Sequence, residues 1–261
     1  MWNREGWVAM VDNKELVLLF SGGTDSTYLA ILMNEKYEKI HLITYDRLGF
    51  LNTENAAKSA QALQNKFGIE KFSHRVINID RLFKKLSYGN YIKDIFNYNY
   101  FMLLTCGLCK LAMHWQTIIY CLENDIKEVC DGSNQEMNQD PSQNEEIIKE
   151  MQLLYDGFGI LYFTPIYYES IEVRERTVFD SGLSLIPSPK WTRFSFEKQP
   201  YCSQEYLFSK FFDYAHTNWK GQNTRDKAEK YEKKLHVYHR EKRDFIKEQI
   251  YRYFSQKDMD K

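Results

Sequence analysis

The sequence predicts an α/β fold: a parallel five-stranded sheet with Rossmann-like winding, helices on both faces, and a helical appendage at the C-terminus. Three observations predict it. From Glu15 to Asp80, short apolar runs alternate with stretches of helical length, the pattern of parallel strands joined by crossover helices. The first run, ELVLLF, is continuously apolar rather than alternating, as a strand covered on both faces must be. Beyond Glu205 the chain is charged and helix-patterned to its end.

In order, ELVLLF (15–20) reads as the first strand and DSTYLAILMNEK (25–36) as the helix after it. IHLITYD (40–46), a helix over Asn52–Lys66 and the strand HRVINID (74–80) follow, with right-handed crossovers expected. Tyr91–Asn124 is aromatic and mostly helical, interrupted by TCGLCK. EVCDGSN (128–134) reads as a short buried strand ending in turn residues, and MNQDPSQNEE as a polar loop. Pro141, Ser142 and Glu145 mark a helix start. ILYFTPI (160–166) is the fifth strand, and a helix over Ser170–Asp180 ends at Gly182. Leu183–Gln204, with Pro187, Pro189 and Pro200 among many aromatics, reads as an ordered loop. In the last helical part Tyr231, Leu235, Tyr238 and Phe245 form a docking stripe. We therefore divide the chain into a domain over 1–204 and an appendage over 205–261.

With 43% hydrophobic and 27% charged residues the chain has the composition of a globular protein, not a disordered one. Residues 220–261 hold 13 Lys/Arg against 8 Asp/Glu, or +5, while the remainder holds 22 against 28, or −6. A basic segment on an acidic body suits a polyanion, and a solvated helix face gives the same count. No apolar run is long enough for a membrane span, Met1–Asn13 lacks the pattern of a signal peptide, and five cysteines are an odd number. A reducing, cytoplasmic location is expected, with no membrane partner; a homodimer is compatible with the sequence.

The first strand runs directly into SGGTDS, residues 21–26. Gly22 and Gly23 let the main chain approach a ligand closely, and successive N–H groups ahead of a helix form a donor nest for phosphate oxygens. Ser21, Thr24, Ser26 and Thr27 add hydroxyls. Asp25 is out of place in an anion site unless a cation such as Mg²⁺ bridges it to the phosphates. A tight strand-to-helix turn with Ser/Asp capping is the alternative, which the preceding buried strand and the dense hydroxyls disfavour. The loop has no lysine of the GxxxxGK[ST] kind, nor is it GxGxxG.

SGGTDS resembles the SGGxDS motif of the PP-loop ATP pyrophosphatases, of the adenine nucleotide alpha hydrolase-like fold, which cleave ATP between the α and β phosphates. Further stretches are similar to LarE-type sulfurtransferases: TCGLCKLAMH (105–114), CDGSN (130–134), GILYFTPIYYESIEVRE (159–175) and KQPYCSQ (198–204). Ile171 stands where a lysine is common in that family. The resemblance covers roughly residues 15–205 and implies ATP and Mg²⁺ as cofactors, with Ser21, Gly22, Gly23, Thr24, Asp25 and Ser26 holding pyrophosphate and metal. It places Asp131 and Asn134 beside the nucleotide, where they also end a strand. Asp46 ends the second strand on the edge where open α/β sheets bind ligands, and orients adenosine or caps a turn. Lys110 and Arg174 are phosphate or substrate contacts, or surface charges.

Cys106 and Cys109 are spaced to share a metal near a helix start. Cys121 and Cys130 sit in apolar runs and read as core thiols. Cys202 lies in a proline-bounded loop with no packing reason for a thiol. The resemblance to thiolation enzymes of the TtuA and TtcA kind implies that Cys106, Cys109 and Cys202 hold a [4Fe–4S] cluster with one open iron. A sulfur-carrying redox pair, a zinc site and ordinary burial remain alternatives for the pair. The function implied is an ATP-dependent sulfurtransferase with a sulfide or persulfide donor and a tRNA base as candidate acceptor; catalysis would rest on Asp25, Cys106, Cys109 and Cys202. Two other readings stand beside it: a zinc-containing ligase resembling the queuosine-pathway nitrile synthase, and a non-catalytic nucleotide- or RNA-binding module.

Overall fold

The computed structural model describes residues 14–98, 107–137, 144–183, 201–202 and 223–259. Its centre is a five-stranded, wholly parallel sheet in the order β4-β2-β1-β5-β6. The strands are β1 (Glu15–Leu19), β2 (Lys39–Asp46), β4 (Phe72–Asn78), β5 (Glu128–Cys130) and β6 (Leu161–Phe163). From β1 the chain winds through β2 to β4 on one side, then crosses to β5 and β6 on the other. The direction therefore reverses between β1 and β5, and in open α/β sheets the crevice at the carboxyl edge of such a reversal is where ligands bind.

Alternate residues of β1 feed two cores. Leu16 and Leu18 pack with Leu29 and Met33 of α1 (Thr24–Asn34) and with Ala56, Ala60 and Leu63 of α2 (Thr53–Phe67). Val17 faces the other side, with Leu111, Trp115 and Ile118 of α5 (Gly107–Asn124) and Met151 and Leu154 of α6 (Glu145–Asp156). Helices thus cover both faces, as the sequence predicts. α7 (Ile171–Asp180) packs beside α1, and Gly182 beyond it takes a left-handed φ of 74°.

The long C-terminal helix α8 (Asn223–Met259) lies against α5 and α6 through Tyr238, Ile246 and Ile250, all fully buried. Of the expected stripe, Tyr238 and Phe245 pack here, while the side chains of Tyr231 and Leu235 lie outside the described residues. Lys242 is buried and donates to Asp94 Oδ2 at 2.5 Å and to the Leu86 carbonyl at 3.0 Å. These partners stand on α4 (Tyr91–Tyr98) and α3 (Asp80–Tyr88). Asp80, expected to end a strand, instead opens α3, and its carboxylate accepts the Leu48 N–H at 3.0 Å. A second sheet pairs β3 (Phe50–Leu51) with β7 (Tyr201–Cys202), antiparallel. No described helix is long and apolar enough to cross a membrane.

Candidate functional site

Between Leu19 and Thr24 the chain must turn from strand to helix. Phe20 remains tied to the sheet, its N–H donating to the Ile43 carbonyl at 2.8 Å. Gly22 then takes φ +75°, and a Cβ there would stand 2.7 Å from the Ala56 Cα of α2. Only glycine meets both demands. The Ser59 hydroxyl donates to the Gly22 carbonyl at 3.0 Å, pinning the turn to α2. Gly23 opens α1 in extended conformation, and no side chain caps that helix. The first amides of a helix have no partner within it, so this end is suited to an anion. Ser26 turns its hydroxyl back to the Gly23 carbonyl (3.1 Å) and lies 3.2 Å from Ser21 Oγ, which in turn accepts the Gly23 N–H at 3.3 Å.

The opposite wall of the crevice is the segment after β5. A Cβ on Gly132 would stand 3.3 Å from Asp25 Cβ and from the Ser26 nitrogen, so this segment lies directly against the loop. Asp131 is buried and accepts from Tyr162 Oη (2.9 Å) and the Ser133 N–H (3.0 Å). Lys110 of α5 donates to Ser133 Oγ at 2.6 Å and stands 3.1 Å from Asp131 Oδ2. Burial alone would raise the Asp131 carboxyl, but the Lys110 charge, His114 and the Ser133 amide outweigh it and bring it to about 2. Asp131 is thus an ionised anchor for this wall.

Asp25 joins the two walls. Its Oδ2 accepts from Asn134 Nδ2 at 3.0 Å, and its Oδ1 lies 2.5 Å from Arg174 Nη1 of α7. The second nitrogen of that guanidinium, Nη2, bonds Glu136 Oε2 at 2.8 Å. Arg174 is only 1% exposed, so it is no surface charge. Burial lifts the Asp25 carboxyl above its ordinary value, while Arg174 opposes the rise. Glu136 was not singled out in the sequence. Its place four residues beyond Gly132 gives no local pattern that would reveal it.

Asp46 ends β2 in register with Asn78, half-buried at the same carboxyl edge. Cys202 is described in its backbone alone, opposite Phe50 in the small sheet. Phe50 follows closely after β2, so that pairing also lies toward the carboxyl edge. Cys109 is buried in the first turn of α5, the turn that carries Lys110 toward Asp131. Cys106 lies outside the described residues. Cys121 and Cys130 are buried, and burial pushes both thiols up. Among the described residues no three His, Cys, Asp or Glu side chains gather in a way that could hold a metal ion.

Behind Lys110, α5, α6 and α8 leave a small pocket lined by His114 and His239 among others. His114 Nδ1 bonds Tyr155 Oη at 2.9 Å. His114 Nε2 and both ring nitrogens of His239 have no hydrogen-bond partner among the described residues.

The model of a family described as a family of unknown function, DUF7411, matches residues 14–172, more than half of the chain. No curated protein matches the sequence. Among solved structures, the chain is similar to a protein described as a predicted subunit of tRNA methyltransferase from Methanocaldococcus jannaschii. That match has 20% identity over 64% of this chain and 76% of the other, with a TM-score of 0.43. It is also similar to the U34-tRNA thiolase NcsA from Methanococcus maripaludis, solved with its [4Fe–4S] cluster. Here identity is 15% over 90% of this chain and 72% of the thiolase, with a TM-score of 0.45. A 4-thiouridine synthetase, solved with RNA and bound ATP, matches at 15% identity over 88% of this chain, with a TM-score of 0.46. The match spans about half of that synthetase, 53% of its length.

Proposed function

We propose that this chain, which belongs to the DUF7411 family of unknown function, is an ATP-dependent sulfurtransferase. The observation that carries the proposal is the SGGTDS turn at the point where the strand order reverses. There an uncapped helix start and two serine hydroxyls share one crevice with the carboxylate of Asp25. Phosphate oxygens suit the amides of Gly22–Ser26. The oxygen donors of Asp25 suit Mg²⁺, which keeps most of its shell for water and phosphate; the ion would neutralise the departing pyrophosphate. Asn134 holds Asp25 in place, and Asp46 stands on the edge where adenosine would lie.

In the proposed reaction an acceptor oxygen attacks the α-phosphorus, the bond to the β-phosphate oxygen breaks, and pyrophosphate leaves. A sulfur nucleophile then attacks the activated carbon, and AMP departs with the original oxygen. The acceptor class we favour is a tRNA base, for which the basic surplus of residues 220–261 is the support. Cys106, Cys109 and Cys202 are the proposed ligands of a [4Fe–4S] cluster. The location of Cys109 and of the Cys202 backbone toward the carboxyl edge is compatible with it. Such a cluster, when bound, would present sulfide at its open iron.

Product analysis with α-labelled ATP and unmodified tRNA tests the reading. AMP and pyrophosphate should form in equal amounts, falling about a hundredfold or more in Asp25→Asn. Anaerobic iron, zinc and labile-sulfide analysis should give about four irons per chain, lost in Cys202→Ala. ADP as the product contradicts the proposal, and stoichiometric zinc without labile sulfide replaces the cluster with the zinc reading.

A further inference from the structure

Both oxygens of the loop aspartate already accept a hydrogen bond from a neighbouring side chain. One of its oxygens is held by Arg174 Nη1 at 2.5 Å and the other by Asn134 Nδ2 at 3.0 Å. Arg174 is itself fixed, with Nη2 on Glu136 at 2.8 Å and Nε on the Ser170 carbonyl at 3.4 Å. The guanidinium is sealed, with its side chain 1% exposed, while the Asp25 and Glu136 side chains are 38% and 48% exposed. Two carboxylates thus share one cation and open on the crevice with a formal charge of −1.

We propose that Arg174 stands in for the metal at Asp25 in the nucleotide-free protein, so that Mg²⁺ enters only together with nucleotide. The phosphate oxygens then take over the guanidinium's hydrogen bonds. This rests on the ATP reading above. Metal arriving alone competes with Arg174 for Asp25, and breaking that pair leaves a buried guanidinium short of a partner, which is strongly unfavourable. Metal arriving with phosphate exchanges one anion for another on the same planar fork, since guanidinium matches carboxylate and phosphate alike. Nucleotide and metal then strengthen each other's binding, a reciprocal coupling between adjacent sites. Arg174 is in this sense a positioning residue.

The test uses Mn²⁺ as the probe, followed by electron paramagnetic resonance on the full chain without nucleotide. Arg174→Gln releases Asp25 and should bind Mn²⁺ about tenfold tighter than the unaltered protein or better, the order expected for one lost competing ion pair. Adding Asp25→Asn to that variant should remove the gain. A merely structural role for Arg174 predicts loss, never gain. In the unaltered chain α,β-methylene-ATP should tighten Mn²⁺ binding, and in Arg174→Gln that increment should shrink. If Arg174→Gln does not fold by circular dichroism, Arg174→Lys takes its place, with a smaller gain expected. A folded variant that binds Mn²⁺ no tighter than the unaltered chain overturns the proposal. Failure of the analogue to bind any form counts against the ATP reading, whereas the nucleotide-free comparison judges Arg174 alone.

Discussion

Replacing Gly22 by alanine separates two effects that the turn combines. The first is conformational: at φ +75° a Cβ is placed in the left-handed region, which costs about 1–2 kcal/mol. The second is steric. The new carbon would stand 2.7 Å from Ala56 Cα, 3.2 Å from Ser59 Oγ and 3.3 Å from Ala56 Cβ. The nearest atom is the backbone of a fully buried residue in α2, so no rotamer change relieves it. Overpacking of this kind costs about 1–3 kcal/mol more, or about 2–5 kcal/mol in all. Gly159 supplies the comparison, with φ +68° and nothing within 4 Å of its would-be Cβ. Gly159→Ala should therefore lose only the conformational part, about 1–2 kcal/mol. Equilibrium urea unfolding with matched m-values reads both numbers. A Gly22→Ala variant no less stable than Gly159→Ala would refute the close approach of loop and helix on which the site is built.

Two further outcomes concern the histidines behind the site. Burial pushes His114 down to about 3 and His239 to about 4. The unfolded chain therefore binds more protons below about pH 6.5, and stability falls as pH drops. Between pH 7.5 and 5.0 each should remove on the order of 2 kcal/mol; His41 and His74, also lowered by burial, add the same sign, while the carboxyls of Asp25 and Glu128, raised by burial, act in the opposite direction. Urea midpoints across this range should fall, and His239→Gln should flatten the slope; an unchanged slope contradicts the assignment. A Cβ on Gly107 would meet His239 Cε1 at 2.6 Å and Nε2 at 2.8 Å. Gly107→Ala should lose about 1–3 kcal/mol, and His239→Ala in the same chain should recover part of it in a double-mutant cycle. Strict additivity would mean that α8 does not dock there.

Four of the five central strands were legible as compact, largely apolar runs; the edge strand FSHRVIN is mostly polar and was legible from its spacing after a helix-length stretch, and all five shift at their edges by only a few residues. The third predicted strand, expected at 74–80, is Phe72–Asn78. Its missing end is Ile79, the N-cap of α3, and Asp80, which opens that helix: Asn78 Oδ1 accepts the Asp80 N–H at 3.0 Å, and the Asp80 carboxylate reaches across space to the Leu48 N–H. The β3–β7 pair consists of two residues per strand, too few to show a period. The loop was legible for a different reason: glycine, hydroxyl and carboxylate types are concentrated in six consecutive residues. Its partners were not. Arg174 has Glu172 and Glu175 as sequence neighbours, yet it pairs with Asp25 and Glu136. Lys242 meets Asp94 across 148 positions. Such pairings are set by which elements the topology brings together, and no local window contains them. The same holds for His239, whose seat beside Gly107 follows from the docking of α8.

The most direct measurement is a crystal structure of the chain with Mg²⁺ and α,β-methylene-ATP. The β and γ phosphates should lie on the turn from Ser21 to Ser26, with the metal on Asp25 and the α-phosphorus open toward the crevice between β1 and β5. Phosphates found elsewhere, with the Asp25–Arg174 pair intact and the turn unliganded, would contradict that placement.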